Sequence, residues 1–169
     1  MSRATFYATC FVLAVVVVAL SGCPSSGGIT PSPGIIVQHG DPSVSAGEQA
    51  MLDRHDATRA GAGAGALTAN ALLNQIAQDQ ANYLADTGQL THEDASGGHA
   101  WDRANAVGYS YSQISENVAY DQTADAVYTK WLNSSGHYDN IVNPIYTEVG
   151  VGVATRDIYQ YWCVVFATP

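Results

Sequence analysis

The stretch EVGVGVATRDIYQYWCVVFAT, Glu148 to Thr168, decides how the chain is read. Successive side chains of an extended segment point to opposite faces. Val149, Val151 and Val153 therefore share one face, and Gly150 and Gly152 leave the other bare for a close-packed neighbour. Thr155-Arg156-Asp157 turns the chain. The segment that follows, Ile158 to Thr168, carries large apolar side chains on both faces. A strand apolar on both sides is covered on both sides, which makes it the central strand of a layered sandwich. Helices must then supply the covering layers.

Upstream, the periodicity changes to that of helices. In Glu48–Ala60, Met51, Leu52 and His55 fall on one helical face, and the glycines of GAGAGALT end the pattern. ANALLNQIAQDQANYLADTG, Ala69–Gly88, resumes it with a stripe of Leu72, Leu73, Ile76, Ala77, Tyr83 and Leu84, and Gly88 is a natural stop. The segment Ala100–Tyr111 holds a short helix at most. SQISENVAY, Ser112–Tyr120, reads as extended, with Ile114, Glu116 and Val118 on one face. A carboxylate between two aliphatic residues requires a partner. TADAVYTKWL predicts a helix through Ala124, Val127, Tyr128, Trp131 and Leu132, with Thr123 as N-cap and Gly136 as terminator. On this reading His137 lies just past the helix end.

The chain has 169 residues, 47% of them hydrophobic, and a net charge of −9. That length predicts one domain with a core sufficient to stand without staples. No cluster of Lys or Arg offers a footprint for nucleic acid. Ala8–Leu20 is a continuous apolar run after Arg3, too short to span a bilayer and suited to a secretion signal. Leu20-Ser21-Gly22-Cys23 follows at once and resembles a bacterial lipobox, in which the cysteine thiolate takes up the lipid. Residues 1–22 are thus expected to be a lipoprotein signal peptide. Residues 23–46, rich in Pro, Gly and Ser, are expected to form a flexible tether from lipidated Cys23, and residues 47–169 the domain. The expected location is the cell envelope, outside the cytoplasm, with the membrane as partner through the lipid. Cys10 leaves with the leader, so Cys163 is the domain's only thiol and no internal disulfide forms. Its apolar surroundings mark it as buried and inert.

The order RHDATR, LTH, SENVA, GHYDNI, EVGVGVA and the final aromatic strand resembles the CAP superfamily: cysteine-rich secretory proteins, antigen 5 and pathogenesis-related 1 proteins, also called SCP-like. The disulfide-free bacterial branch fits best. The resemblance covers about residues 47–168 and implies an α+β fold, a three-layer α-β-α sandwich with a central antiparallel sheet. It also implies a cleft with two histidines and acidic residues. Carried onto this chain, these are His92 of LTHED, Glu116 of SENVA and His137 of SSGHYDNI, with Ser115 in place of the usual glycine. A further glutamate, expected near the end of the helix carrying Trp131, is replaced by Asn133, Ser134 and Ser135. His55 and Arg59 match an H-N-x-x-R element, with Asp56 in place of the asparagine, and this element is read as structural.

Two imidazoles and a carboxylate suit Zn2+ or another divalent cation, with His92 and His137 as ligands. Alternatively, Glu116 orients one imidazole by accepting its ring N–H. Two functions remain open. One is a tethered, non-catalytic cleft that binds a metal, a small ligand such as a lipid, or a cell-wall or protein partner of the envelope. The other is a metal-assisted hydrolase of peptides or cell wall with Glu116 as general base. His99, Asp102 and Arg103 are read as surface or packing residues.

Overall fold

A computed structural model describes residues 44–169 and the two-residue strand at 37–38. The leader, Cys23 and the rest of the tether lie outside the described residues. Among the described residues, the elements run β1 (Val37–Gln38), α1 (Ala46–Gly61), β2 (Thr68–Ala69), α2 (Ala71–Thr87), α3 (Ala100–Ala106), β3 (Gln113–Asp121), α4 (Ala124–Leu132), α5 (Ser135–Val142), β4 (Glu148–Arg156) and β5 (Tyr159–Thr168). Strand order across the sheet is β1-β4-β5-β3, with every one of these pairings antiparallel. The short β2 departs from that rule and pairs parallel with β4. β1 lies inside the segment expected to be tether: Val37 and Gln38 are opposite Arg156 and Thr155 of β4.

β5 is the central strand and divides the core by parity. Tyr161, Cys163, Val165 and Ala167 pack with Leu73, Ile76, Ala77 and Leu84 of α2 and Ala100 and Ala104 of α3. Trp162, Val164 and Phe166 pack on the other face with Met51 and Leu52 of α1, Val127 and Trp131 of α4 and Ile141 of α5. The result is the expected three-layer α-β-α sandwich. The Val–Gly alternation of β4 works as its sequence requires. Val149 and Val151 join the second core, and the bare glycine face lets the α2 backbone sit directly on the strand. Gln78 and Asn74 then use their amide oxygens to accept from Val153 N and Val151 N.

Caps set the helix limits. Ser45 forms a capping box with Glu48, Asn70 accepts from the N–H groups of Leu72 and Leu73, and Gly88 closes α2 in the left-handed conformation. α4 stops earlier than expected, with Asn133 as its C-cap. The chain then starts a new helix: Gly136 lies in the first turn of α5, and His137 is helical, not a loop residue beyond a helix end. The sequence SSG does not end the helical run. It serves as a reset, because Ser134 takes an extended conformation and turns the next helix onto the sheet edge. The RHDATR element is structural, as read. Arg59 is 1% exposed and donates to the carbonyls of Gly65, Ile141, Asn143 and Tyr146, which ties α1 to the loops after α1 and α5.

Candidate functional site

β3 pairs with β5 on one side only, so its other edge is unpaired among the described strands. Two consecutive residues of SENVA use opposite faces of that strand. Glu116 turns toward α3. Asn117 turns toward α5, donating to His137 O at 3.0 Å and accepting from Asn140 Nδ2 at 2.8 Å. Asn117 is fully buried, so this pair of bonds fastens α5 to the strand. Period-2 geometry thus lets one short motif bring both helical layers to the same edge. A cavity of about 380 Å³ opens there, lined by His92, Trp101, Ile114, Ser115, Glu116 and Asn140 among others.

Glu116 is the hub. Its side chain is only 4% exposed. One oxygen accepts from His92 Nδ1 at 2.8 Å. The other pairs with Arg103 Nη2 and accepts from the Cys163 thiol at 3.2 Å. Arg103 also donates to the carbonyls of His92 and Gly98. Its burial, 7% exposed, corrects the expectation of a surface or packing role: it is the counter-charge that permits a carboxylate at this depth. The signal was present in the sequence, since a carboxylate flanked by Ile114 and Val118 demands a cation. Three candidate arginines stand upstream, however, and spacing alone does not choose among them.

The two histidines have opposite electrostatics. The hydrogen bond that His92 donates to Glu116 raises the His92 pKa above its ordinary value, against some loss of solvation. Burial lowers that of His137, and the charge of His92 pushes it the same way. His137 Nδ1 is buried with no hydrogen-bond partner. Among the described residues no group of three or more His, Cys, Asp or Glu is gathered as a metal cage. The carboxylate is already committed to Arg103, Cys163 and His92, and by accepting from His92 Nδ1 it fixes the tautomer of that ring. Cys163 is buried, and desolvation followed by the Glu116 charge raises its pKa well above the usual thiol value, in keeping with an inert role. Trp101, 47% exposed on the cleft wall, was not singled out by sequence reasoning.

The fold is an α-β-α sandwich with a His–Glu pair at the sheet edge, and the comparisons agree with that class of domain. The chain belongs to the cysteine-rich secretory protein (CAP) family, whose model matches residues 52–166. It is similar to the uncharacterized protein YkwD of Bacillus subtilis (strain 168), with 33% identity over 111 residues, 65% of this chain and 43% of that protein. The chain thus spans less than half the length of that curated relative. Among solved structures it resembles an extracellular protein containing an SCP domain from Bacillus anthracis, with TM-score 0.65, 23% identity, and coverage of 72% of this chain and 40% of that one. It also resembles an outer surface protein of Borrelia burgdorferi, with TM-score 0.66, 20% identity, and coverage of 71% and 90%. These two likenesses are of fold.

Proposed function

We propose that the chain is a lipid-anchored, extracytoplasmic CAP domain that presents the edge cleft as a non-catalytic binding site. The observation that carries this reading is the state of Glu116. A general base needs a free carboxylate within reach of water. Here both oxygens are engaged, by Arg103 and Cys163 on one side and His92 on the other. The missing acid at Asn133–Ser135 supports the same conclusion. The lipobox at Leu20–Cys23 supports the anchor, and in that setting the cleft faces the envelope space.

Divalent metal is one ligand the site suits. His92 would bind through Nε2, with Nδ1 held by Glu116, and His137 would supply the second ring. Such an ion would offer a Lewis-acid contact to an incoming ligand. Isothermal titration of the full chain in detergent with zinc tests this arrangement. The heat should fall sharply in His92→Ala plus His137→Ala, and heat unchanged in that variant would reject these ligands. Incubation with peptide and peptidoglycan libraries, with and without zinc, tests the absence of turnover. Hydrolysis abolished by Glu116→Gln would overturn the binding reading in favour of a hydrolase.

A further inference from the structure

Beyond His92 and Glu116, the cleft has lining that the metal reading leaves unexplained. Trp101 stands on its wall, 47% exposed, while Trp131 and Trp162 are 0% and 2% exposed in the core. Its ring stacks on His99 with centroids 4.4 Å apart, so its plane is held. Ile114 adds an aliphatic wall. The lining also includes polar side chains, His92 and Asn140. The amide of Asn140 donates to Asn117 and keeps its oxygen for another donor. The one carboxylate is neutralised by Arg103.

From this combination we infer that the cleft binds an uncharged pyranose oligosaccharide, with one sugar ring against Trp101 and its hydroxyl or amide groups on Asn140 and His92. The inference rests on the binding-cleft reading above and names its ligand class. The C–H face of a pyranose is apolar and slightly positive, and packs on the negative face of an aromatic ring. The rim of hydroxyl groups needs donors and acceptors, which Asn140 and His92 provide. An acyl chain would instead strand these polar groups and the Glu116 ion pair without water. The net charge of −9 disfavours a polyanionic glycan. A cavity of about 380 Å³ has the size of a small-ligand site.

The test is a titration of the full chain in detergent with N-acetylglucosamine trimer, followed by tryptophan fluorescence. Because the other two tryptophans are buried, a saturable spectral shift reports Trp101. Saturation-transfer NMR on the sugar then follows the variants. Trp101→Phe retains a π face and should keep binding within about tenfold, whereas Trp101→Leu, equally apolar, should weaken it by more than about tenfold. The position is half exposed, and an unchanged melting curve for both variants establishes that they fold. Absence of saturable binding by this trimer and by cellotriose overturns the inference, as does equal binding by the Leu variant. Trp101-dependent binding of oleate or of an extended peptide, without sugar binding, also overturns it and leaves the binding cleft standing. Loss of sugar binding together with the zinc heats would sink the cleft reading as well.

Discussion

Arg103 and Glu116 form a buried charge pair, 7% and 4% exposed, at the base of the cleft. Removing one partner leaves the other charge uncompensated in a poorly solvated place, which typically costs about 3–5 kcal/mol. Arg103→Ala should therefore lower unfolding free energy by about that amount in a urea titration. A loss below about 1 kcal/mol would mean that water reaches Glu116. His92 belongs to the same network, but half its side chain is exposed, so its energetic share is small. Its titration is the better reporter. The folded pKa is raised above 6.5, so the stabilisation from the His92–Glu116 pair is present below 6.5 and fades as pH rises through the folded value. In an NMR titration the His92 midpoint should lie above that of His137, and Glu116→Gln should bring it down. An unchanged midpoint would remove Glu116 as the cause.

At the scale of elements, the contact between β4 and α2 is the tightest in the fold. A Cβ added at Gly152 would sit 2.4 Å from Gln78 N and 2.5 Å from Ala77 C, both backbone atoms that cannot step aside. Gly152→Ala should push α2 off the sheet and cost about 3 kcal/mol or more, read from the melting curve. Gly65→Ala, where nothing lies within 4 Å, is the control and should change stability by at most about 1 kcal/mol. On the opposite face α1, α4 and β5 meet at His55, which is 0% exposed among Tyr128, Trp131 and Phe166. Its Nδ1 lies 2.7 Å from Met51 O. Burial lowers its pKa from 6.5 to about 4, so the fold holds the ring neutral. Because the folded value is the lower one, this stability is complete above 6.5 and is lost as pH falls toward about 4. The loss should reach about 3 kcal/mol at the acid end. His55→Phe should flatten that part of the pH–stability profile, and an unaltered acid slope would assign it to other groups.

For the whole molecule, the proposed lipid anchor at Cys23 has the largest consequence for where the domain acts. If Cys23 carries lipid, Cys23→Ser should move the protein from the membrane fraction to the soluble one and abolish labelling by radioactive fatty acid; persistence in the membrane would point to an uncleaved apolar leader instead. None of the described helices is long and apolar enough to cross a membrane. Within the domain, the layered architecture was legible in EVGVGVA and YWCVVFAT, because alternation along a strand is a local property that reports directly which faces are covered. The SENVA strand and the caps at Thr123 and Gly88 were legible for the same reason. The restart of the chain as α5 was not. Two serines and a glycine end a helix or begin one with equal local ease, and the choice comes from Asn117, across the strand, holding the backbone of His137 and the side chain of Asn140. The sequence alone determined that Glu116 needs a buried partner, since desolvation of a carboxylate does not depend on the fold. Only the tertiary structure decided that the partner is Arg103, that His92 is oriented by the same carboxylate, and that Trp101 stands beside them. Those side chains come from separate segments, and their meeting depends on how α3 and the loop before it pack over the edge of β3, a non-local outcome that no run of adjacent residues encodes.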